Sequence, residues 1–146
     1  MAKRLEILVN HVMKLLLRSP FHRSFSQANM LITVLGRKSG KKITTPVSYY
    51  RDGDVVWVTA FRRAQWWRNA QANPSVELFL QRKVFRGQAE IILDEKRLVP
   101  ALASYLRHVP GNGGFFGVRM ENGEPNMENL SAAVPSLVML EIMVEG

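Results

Sequence analysis

Between residues 30 and 93 the chain repeats one pattern: a short apolar, β-favouring run, an abrupt polar turn, and another run. Met30–Leu35 (MLITVL) ends in GRKSGKK, and the extended stretch Thr44–Arg51 ends in RDGD, a strong turn signal. Val55–Ala60 (VVWVTA) follows, and Val76–Leu80 and Val84–Leu93 meet at a bend through QRK. Strands joined by tight turns pair antiparallel, because a parallel neighbour needs a crossover of a dozen residues or more. The pattern therefore argues against a doubly wound nucleotide-binding sheet. It predicts a mainly β (α+β) fold, a small barrel of about six antiparallel strands with packed helices.

The helical signals lie around this meander. Ala64–Ala72 holds good helix formers and stops at Asn73-Pro74. Asp94 can cap a helix over Glu95–His108, Glu128–Ala133 reads as a turn or two of helix, and Leu137–Val144 is a closing strand. Pro110–Gly114 (PGNGG) reads as a loop of unusual backbone freedom. At the start, Leu5, Leu8, Val9, Val12, Leu15 and Leu16 share one helical face, which predicts an amphipathic helix over residues 1–19, stopped near Ser19-Pro20. A short helix or turn is expected through Phe25–Asn29. Glu6, Asn10, His11 and Lys14 interrupt the apolar run too often for a signal peptide or a membrane span. Packing on the chain's own core is expected of this helix before peripheral membrane contact. A chain of 146 residues with no repeat or linker is expected to be one domain, 1–146, with barrel strands and basic loop over 30–93 and a helix and closing strand over 94–146.

Composition narrows the chemistry. There is no cysteine, which removes thiolate nucleophiles, disulfides and cysteine-based metal sites together. The histidines, His11, His22 and His108, are scattered, and neither a G-x-S-x-G elbow nor an H-E-x-x-H helix occurs. Asp52 and Asp54 flank Gly53 and serve turn chemistry. The formal charge of +8 favours anionic partners. Much of it sits in the GRKSGKK turn, where Arg37, Lys38, Lys41 and Lys42 crowd together. This is no Walker loop: three residues separate Gly36 from Gly40 where four are needed, and Lys42 stands where Ser or Thr is required. Two glycines can still let successive N–H groups converge on an anion, with Ser39 adding a hydroxyl and Arg37 a bidentate grip. A solvated hairpin bend is the plainer alternative.

In FRRAQWWRNAQANP, adjacent Trp66 and Trp67 point about 100° apart on a helix. One can anchor the core while the other lines a cleft, with Arg62, Arg63 and Arg68 alongside. Flat aromatic surface beside cations suits a planar phosphate-bearing ligand such as a flavin or nucleotide, or single-stranded nucleic acid. With no catalytic constellation of its own, an enzyme of this composition would borrow its chemistry from a cofactor.

The order LITVLGRKSGKKITTPVSYYRDGDVVWVTA, WWRNAQANPSVELFL, VFRGQAEII resembles the deazaflavin-dependent nitroreductases, also called the F420H2-dependent quinone reductase family. The likeness runs from about Leu15 to Ile92. It implies a split β-barrel of the flavin-reductase/FMN-binding type in the cytoplasm, a deazaflavin (coenzyme F420) reduced elsewhere, and hydride transfer to a quinone or nitroaromatic acceptor. On this resemblance Arg37, Lys38, Ser39, Gly40 and Lys41 would hold the phosphate and acidic tail, beside Thr44, Thr45 and Pro46. Thr59, Ala60, Phe61 and Arg62 would run along the ring. Trp66, Trp67, Arg68 and Asn69 would close the site, with Asn69 fixing backbone. Tyr49, Tyr50 and Tyr105 are proton-donor candidates by chemistry alone, and Phe115 and Phe116 either roof an apolar acceptor or belong to the core. The chain departs from the family at Ile43, where relatives often carry arginine, and in the short FRRAQ loop. Those departures keep an FMN-binding reductase open as an alternative. A carrier of an apolar anion such as a fatty acid is a third reading. A homodimer is compatible with all of these, and nucleic acid is the least favoured partner.

Overall fold

The computed structural model describes residues 29–145. The helix expected over 1–19, and all of the turn expected over Phe25–Asn29 except Asn29 itself, lie outside the described residues. The chain then runs β1 (Asn29–Leu35), β2 (Lys42–Asp52), β3 (Val55–Phe61), α1 (Trp66–Ala72), β4 (Ser75–Leu80), β5 (Lys83–Ile92) and α2 (Glu95–His108). It continues through a 3₁₀ segment (Pro110–Phe116), β6 (Met120–Glu121), β7 (Glu124–Pro125), α3 (Met127–Ala133), a 3₁₀ turn (Val134–Ser136) and β8 (Leu137–Val144).

Six strands close into a barrel in the order β1-β2-β3-β8-β5-β4, every pairing antiparallel. The meander is thus a barrel wall, and the last strand fills the place between β3 and β5. Two local expectations change. Pro110–Phe116 is a 3₁₀ segment and not an open loop, and ENGE adds a hairpin of β6 and β7 with Asn122 and Gly123 both at positive φ. Asn-Gly is the pair that such a turn prefers.

Period-two alternation separates two cores. Met30, Ile32 and Val34 of β1, Val56 and Val58 of β3, Leu78 of β4 and Leu140 of β8 fill the barrel. Outside it, α2 lays Leu98, Leu102, Tyr105 and Leu106 against Leu137 and Met139 of β8, beside Trp57 and Phe61 of β3. The helical residues recur at three- and four-residue spacing and so form one stripe. Each buried leucine is worth about 1.5–3 kcal/mol of transfer free energy. β8 is buried on both faces, which is why its sequence, LVMLEIMV, is almost continuously apolar. At the start of α2 the Asp94 carboxylate accepts from the Lys96 N–H at 3.1 Å, the expected cap.

The wall is not evenly closed. β2 pairs with β3 only from Tyr49↔Val58 to Asp52↔Val55. Before Tyr49, β2 stays with β1, and beyond Val58, β3 stays with β8. The two strands part there, and Pro46–Ser48 faces Thr59–Phe61 across a gap with no ladder between them. A strand tolerates proline where no neighbour needs its N–H, and Pro46 lies in the stretch that has left β3.

Candidate functional site

A cleft of about 380 Å³ opens over this split. Pro46, Val47 and Ser48 form one bank and Thr59, Ala60 and Phe61 the other, with Asn29 at the end and Ala64, Trp66, Phe115 and Phe116 as aromatic and apolar walls. Phe116 meets Phe61 edge-on at 5.8 Å between ring centres. Phe115, by contrast, is 72% exposed, so it flanks the cleft and is no core residue. Along β3 the N–H of Arg62 is spent on Ser136 of the segment before β8, and backbone groups alternate sides. The N–H groups of Phe61 and Thr59 therefore point the other way, toward the split.

Helix α1 ties this cleft to the basic loop. The loop's Arg37 donates its backbone N–H to Asn69 Oδ1 at 3.0 Å and its guanidinium Nη1 to the same oxygen at 2.8 Å. Weaker guanidinium contacts, at 3.4 Å, reach the Gln65 carbonyl and side chain. Asn69 is buried, and it stands three residues from Trp66 on the same helix. Residues so spaced are neighbours on one helical face. One short helix thus presents an aromatic wall to the cleft and an anchor to the loop.

The loop itself is closed by backbone bonds, Gly36 N–H to the Lys41 carbonyl and Gly40 N–H to the Gly36 carbonyl, each 2.8 Å. Gly40 sits at φ +69°, a turn conformation that costs other residues strain. The Lys41 N–H bonds Ser39 Oγ at 3.2 Å. With Arg37 latched to Asn69, the N–H groups left without a partner among the described residues are those of Lys38 and Ser39. Two of the four cations are also committed: Arg37 to α1, and Lys42 to Glu77 of β4 at 3.5 Å. Lys38 and Lys41 stay exposed. Fewer groups of this turn are therefore free than the charge count suggests, and Arg37 serves as its brace.

The other sequence candidates separate into those at the cleft and those behind it. Trp67 is in the barrel core, 4% exposed, with its indole donating to the Arg62 carbonyl at 3.2 Å and the Arg68 guanidinium 5.1 Å above its ring. It supports the cleft and does not line it. Arg62 donates to the Leu137 and Leu93 carbonyls, tying β3 to its neighbours. Thr44 shares its hydroxyl with Thr33 at 2.8 Å, and Thr45 lies opposite Ile32 with the inward parity of Val47. Tyr49 and Tyr50 lie away from the cleft. Tyr49 is inside the barrel, where burial pushes its phenol up, partly offset by Arg51. Tyr50 stacks on His108 at 4.0 Å.

Ser48 and Asn112 were missed. Period two could have found Ser48, since it shares the outward face of β2 with Pro46. Asn112 had no signal, because its partner is a residue of the preceding helix. Its amide donates to the Tyr105 hydroxyl at 3.2 Å. Tyr105 is buried beneath the cleft, and burial raises its pKa against the opposing effect of Thr59, Asn112 and Ser48 beside its hydroxyl.

A flat cleft with backbone donors at its edge, joined to a small cationic turn, fits a planar ring carrying an anionic tail. Among the described residues no cluster could hold a metal ion, and no helix is long and apolar enough to cross a membrane. A model of the F420H(2)-dependent quinone reductase family matches residues 18–108, more than half of the chain. Among solved structures the chain is similar to an F420 reductase, 18% identical over 85% of this chain and 93% of that chain, with a TM-score of 0.53. An F420-H2 dependent reductase is 20% identical over 82% and 95%, TM-score 0.53. A FAD-binding protein from Mesorhizobium loti is 14% identical over 88% and 91%, TM-score 0.57. At these identities the likeness is one of fold, the split barrel expected from the sequence.

Proposed function

The chain belongs to the F420H(2)-dependent quinone reductase family, and on that premise we propose that it binds F420 across the split and reduces a quinone-like or nitroaromatic acceptor stacked in the same cleft. The family makes it an oxidoreductase of the F420-dependent kind. The residues, the acceptor and a cytoplasmic setting are our proposal.

Lys38 and Lys41, with the free N–H groups of Lys38 and Ser39, would take the phosphate and acidic tail. Gly40 shapes that turn, and Arg37 and Asn69 hold it in place. Pro46 and Ser48 on one bank and Thr59, Ala60 and Phe61 on the other would receive the ring edge. Trp66 and Phe115 would cover its face and exclude water. When bound, F420H2 supplies hydride, a transfer that asks the protein for close approach and a dry site and not for an ionisable catalyst. The observation that supports this reading is the placement of Trp66, which lines the cleft, and Asn69, which holds Arg37, three residues apart on α1.

An FMN-binding reductase is the second reading, favoured by Ile43, which stands exposed beside the turn and leaves it one cation short. Fluorescence titration of the apo-protein with oxidised F420 and, in parallel, FMN tests both. Saturable binding of F420, weakened by Lys38→Ala and Trp66→Ala, is the expected result. Binding of FMN alone would replace the cofactor, and binding of neither would refute the reductase reading in favour of a carrier.

A further inference from the structure

Directly after Ser48, β2 leaves the cleft and enters the wall of a second hollow, of about 420 Å³. Its walls are Tyr49, Tyr50 and Arg51, Gln81 of the β4–β5 turn and His108 at the end of α2, over residues 109–111. Among the described residues none lines both this hollow and the cleft, and the hydride reaction above has no use for it. Its volume is in the range of small-molecule sites. What marks it out is Tyr49, which is 5% exposed and whose hydroxyl has no hydrogen-bond partner among the described residues. Buried polar groups are normally partnered. Among the described residues the side-chain oxygen that is both shut from solvent and unpartnered is Glu77 Oε2. The Tyr49 oxygen is therefore not sealed, and the small opening this residue keeps is into the hollow.

Arg51 stands two positions on and so shares the face of β2 that carries Tyr49. Its Nε donates to the Gly53 carbonyl at 2.9 Å, and its guanidinium rests 4.9 Å over the Phe85 ring. Those contacts fix the group and leave its two Nη nitrogens without a partner among the described residues. One wall is flat: Tyr50 and His108 stack at 4.0 Å with 16° between their planes. The His108 ring is held by Nδ1, 2.8 Å from the Ser104 carbonyl, which can only accept. Gln81, at φ +48° in a turn that favours asparagine or glycine, brings an amide to the rim. No carboxylate stands among the described lining residues. We infer that this hollow is a second ligand site and that it takes a flat aromatic carboxylate. The carboxylate accepts from the Tyr49 hydroxyl and the Arg51 guanidinium, and the ring lies against the edge of the Tyr50–His108 stack and Pro110. One guanidinium balances one negative charge and its planar fork matches a carboxylate, which favours that group over a doubly charged phosphate.

The test is calorimetric titration of the full chain with 2-naphthoate and, in parallel, with methyl 2-naphthoate, which keeps the ring and loses the charge. Wild type is expected to bind 2-naphthoate saturably and about tenfold more tightly than the ester. That is the lower end for a hydrogen bond to a charged group, because Arg51 is exposed. Arg51→Gln should reduce the preference to about twofold or less. Tyr49→Phe keeps a ring in the barrel and should weaken 2-naphthoate about fivefold. Amide NMR shifts locate the probe. Changes centred on Tyr49–Arg51, Gln81 and His108 are expected, and changes centred on Thr59–Phe61 would put it in the cleft and overturn the inference. Absence of saturable binding, equal binding of acid and ester, or an unchanged preference in Arg51→Gln also overturns it. If Tyr49→Phe does not fold, the Arg51 arm decides alone. The F420 titration is read separately: its failure removes the reductase reading and leaves this site standing, and the converse also holds.

Discussion

Replacing Asn69 with alanine removes the side-chain oxygen that accepts both the backbone N–H and the guanidinium of Arg37. The first bond is neutral and part-buried, worth about 1 kcal/mol, and the second is charge-assisted, worth about 1.5–3 kcal/mol when shielded. Arg37 is exposed and regains water once released, so the lower end applies and the loss is about 2–3 kcal/mol. For a chain of this length that lowers the melting temperature by about 6–9 °C. The freed turn must then be ordered by its ligand, and fixing even one residue's backbone costs about 1–2 kcal/mol, close to tenfold in affinity. Thermal unfolding by circular dichroism and titration with F420 measure the two effects. Asn69→Asp separates them, because it keeps an acceptor for Arg37 and adds negative charge near the anion turn. Its melting temperature should stay near that of wild type while F420 affinity falls. If Asn69→Ala melts within about 1 °C of wild type and binds F420 unchanged, the latch between loop and helix is not a source of order, and the argument fails.

The adjacent tryptophans should behave differently. Trp67→Ala, in the core, should cost about 3–5 kcal/mol in denaturant unfolding, whereas Trp66→Ala, half-buried at the edge of the same core, should cost clearly less and weaken ring binding. Gly87→Ala should destabilise the barrel by about 1–3 kcal/mol, since a Cβ there would stand 2.7 Å from Ile142 Cγ2 and 2.9 Å from the Met143 carbonyl oxygen. Alkaline pH should unfold the protein in part through Tyr105. Its folded pKa is raised above the unfolded value of 10.0 by burial, so the stabilisation is complete below about pH 10 and is lost as pH rises toward the folded value. The alkaline limb of a pH–stability curve should therefore be shallower in Tyr105→Phe. Lys38→Ala should weaken F420 binding by roughly threefold and flatten its salt dependence, as expected of an exposed cation.

The strands around the basic turn could be read residue by residue, because each obeys local rules. Val55–Ala60 is a short β-favouring run, RDGD supplies its turn, and Asp94 announces α2 with a cap. The hairpin at ENGE was not among those expectations, although its Asn-Gly pair is a local signal of the same kind. The site was legible in part. A cationic turn and two adjacent tryptophans marked two ends of the candidate site, and the family likeness agrees with the family model that matches. What the sequence could not say was which of those groups are free. Arg37 and Lys42 look like Lys38 and Lys41 on paper, yet one is bound to Asn69 and the other to Glu77.

That division has a physical reason. Periodicity, turn residues and caps act over a few positions, so the sequence alone determined the antiparallel meander, the helix of residues 95–108, the closing strand and the excess of positive charge. Closure of the barrel, the parting of β2 from β3 and the burial of Tyr105 beneath Thr59 and Ser48 depend on contacts between residues tens of positions apart. Tyr105 comes against the barrel wall only because α2 packs its apolar stripe across β3 and β8. Long-range packing decides which polar groups are spent inside the protein and which are left to meet a ligand.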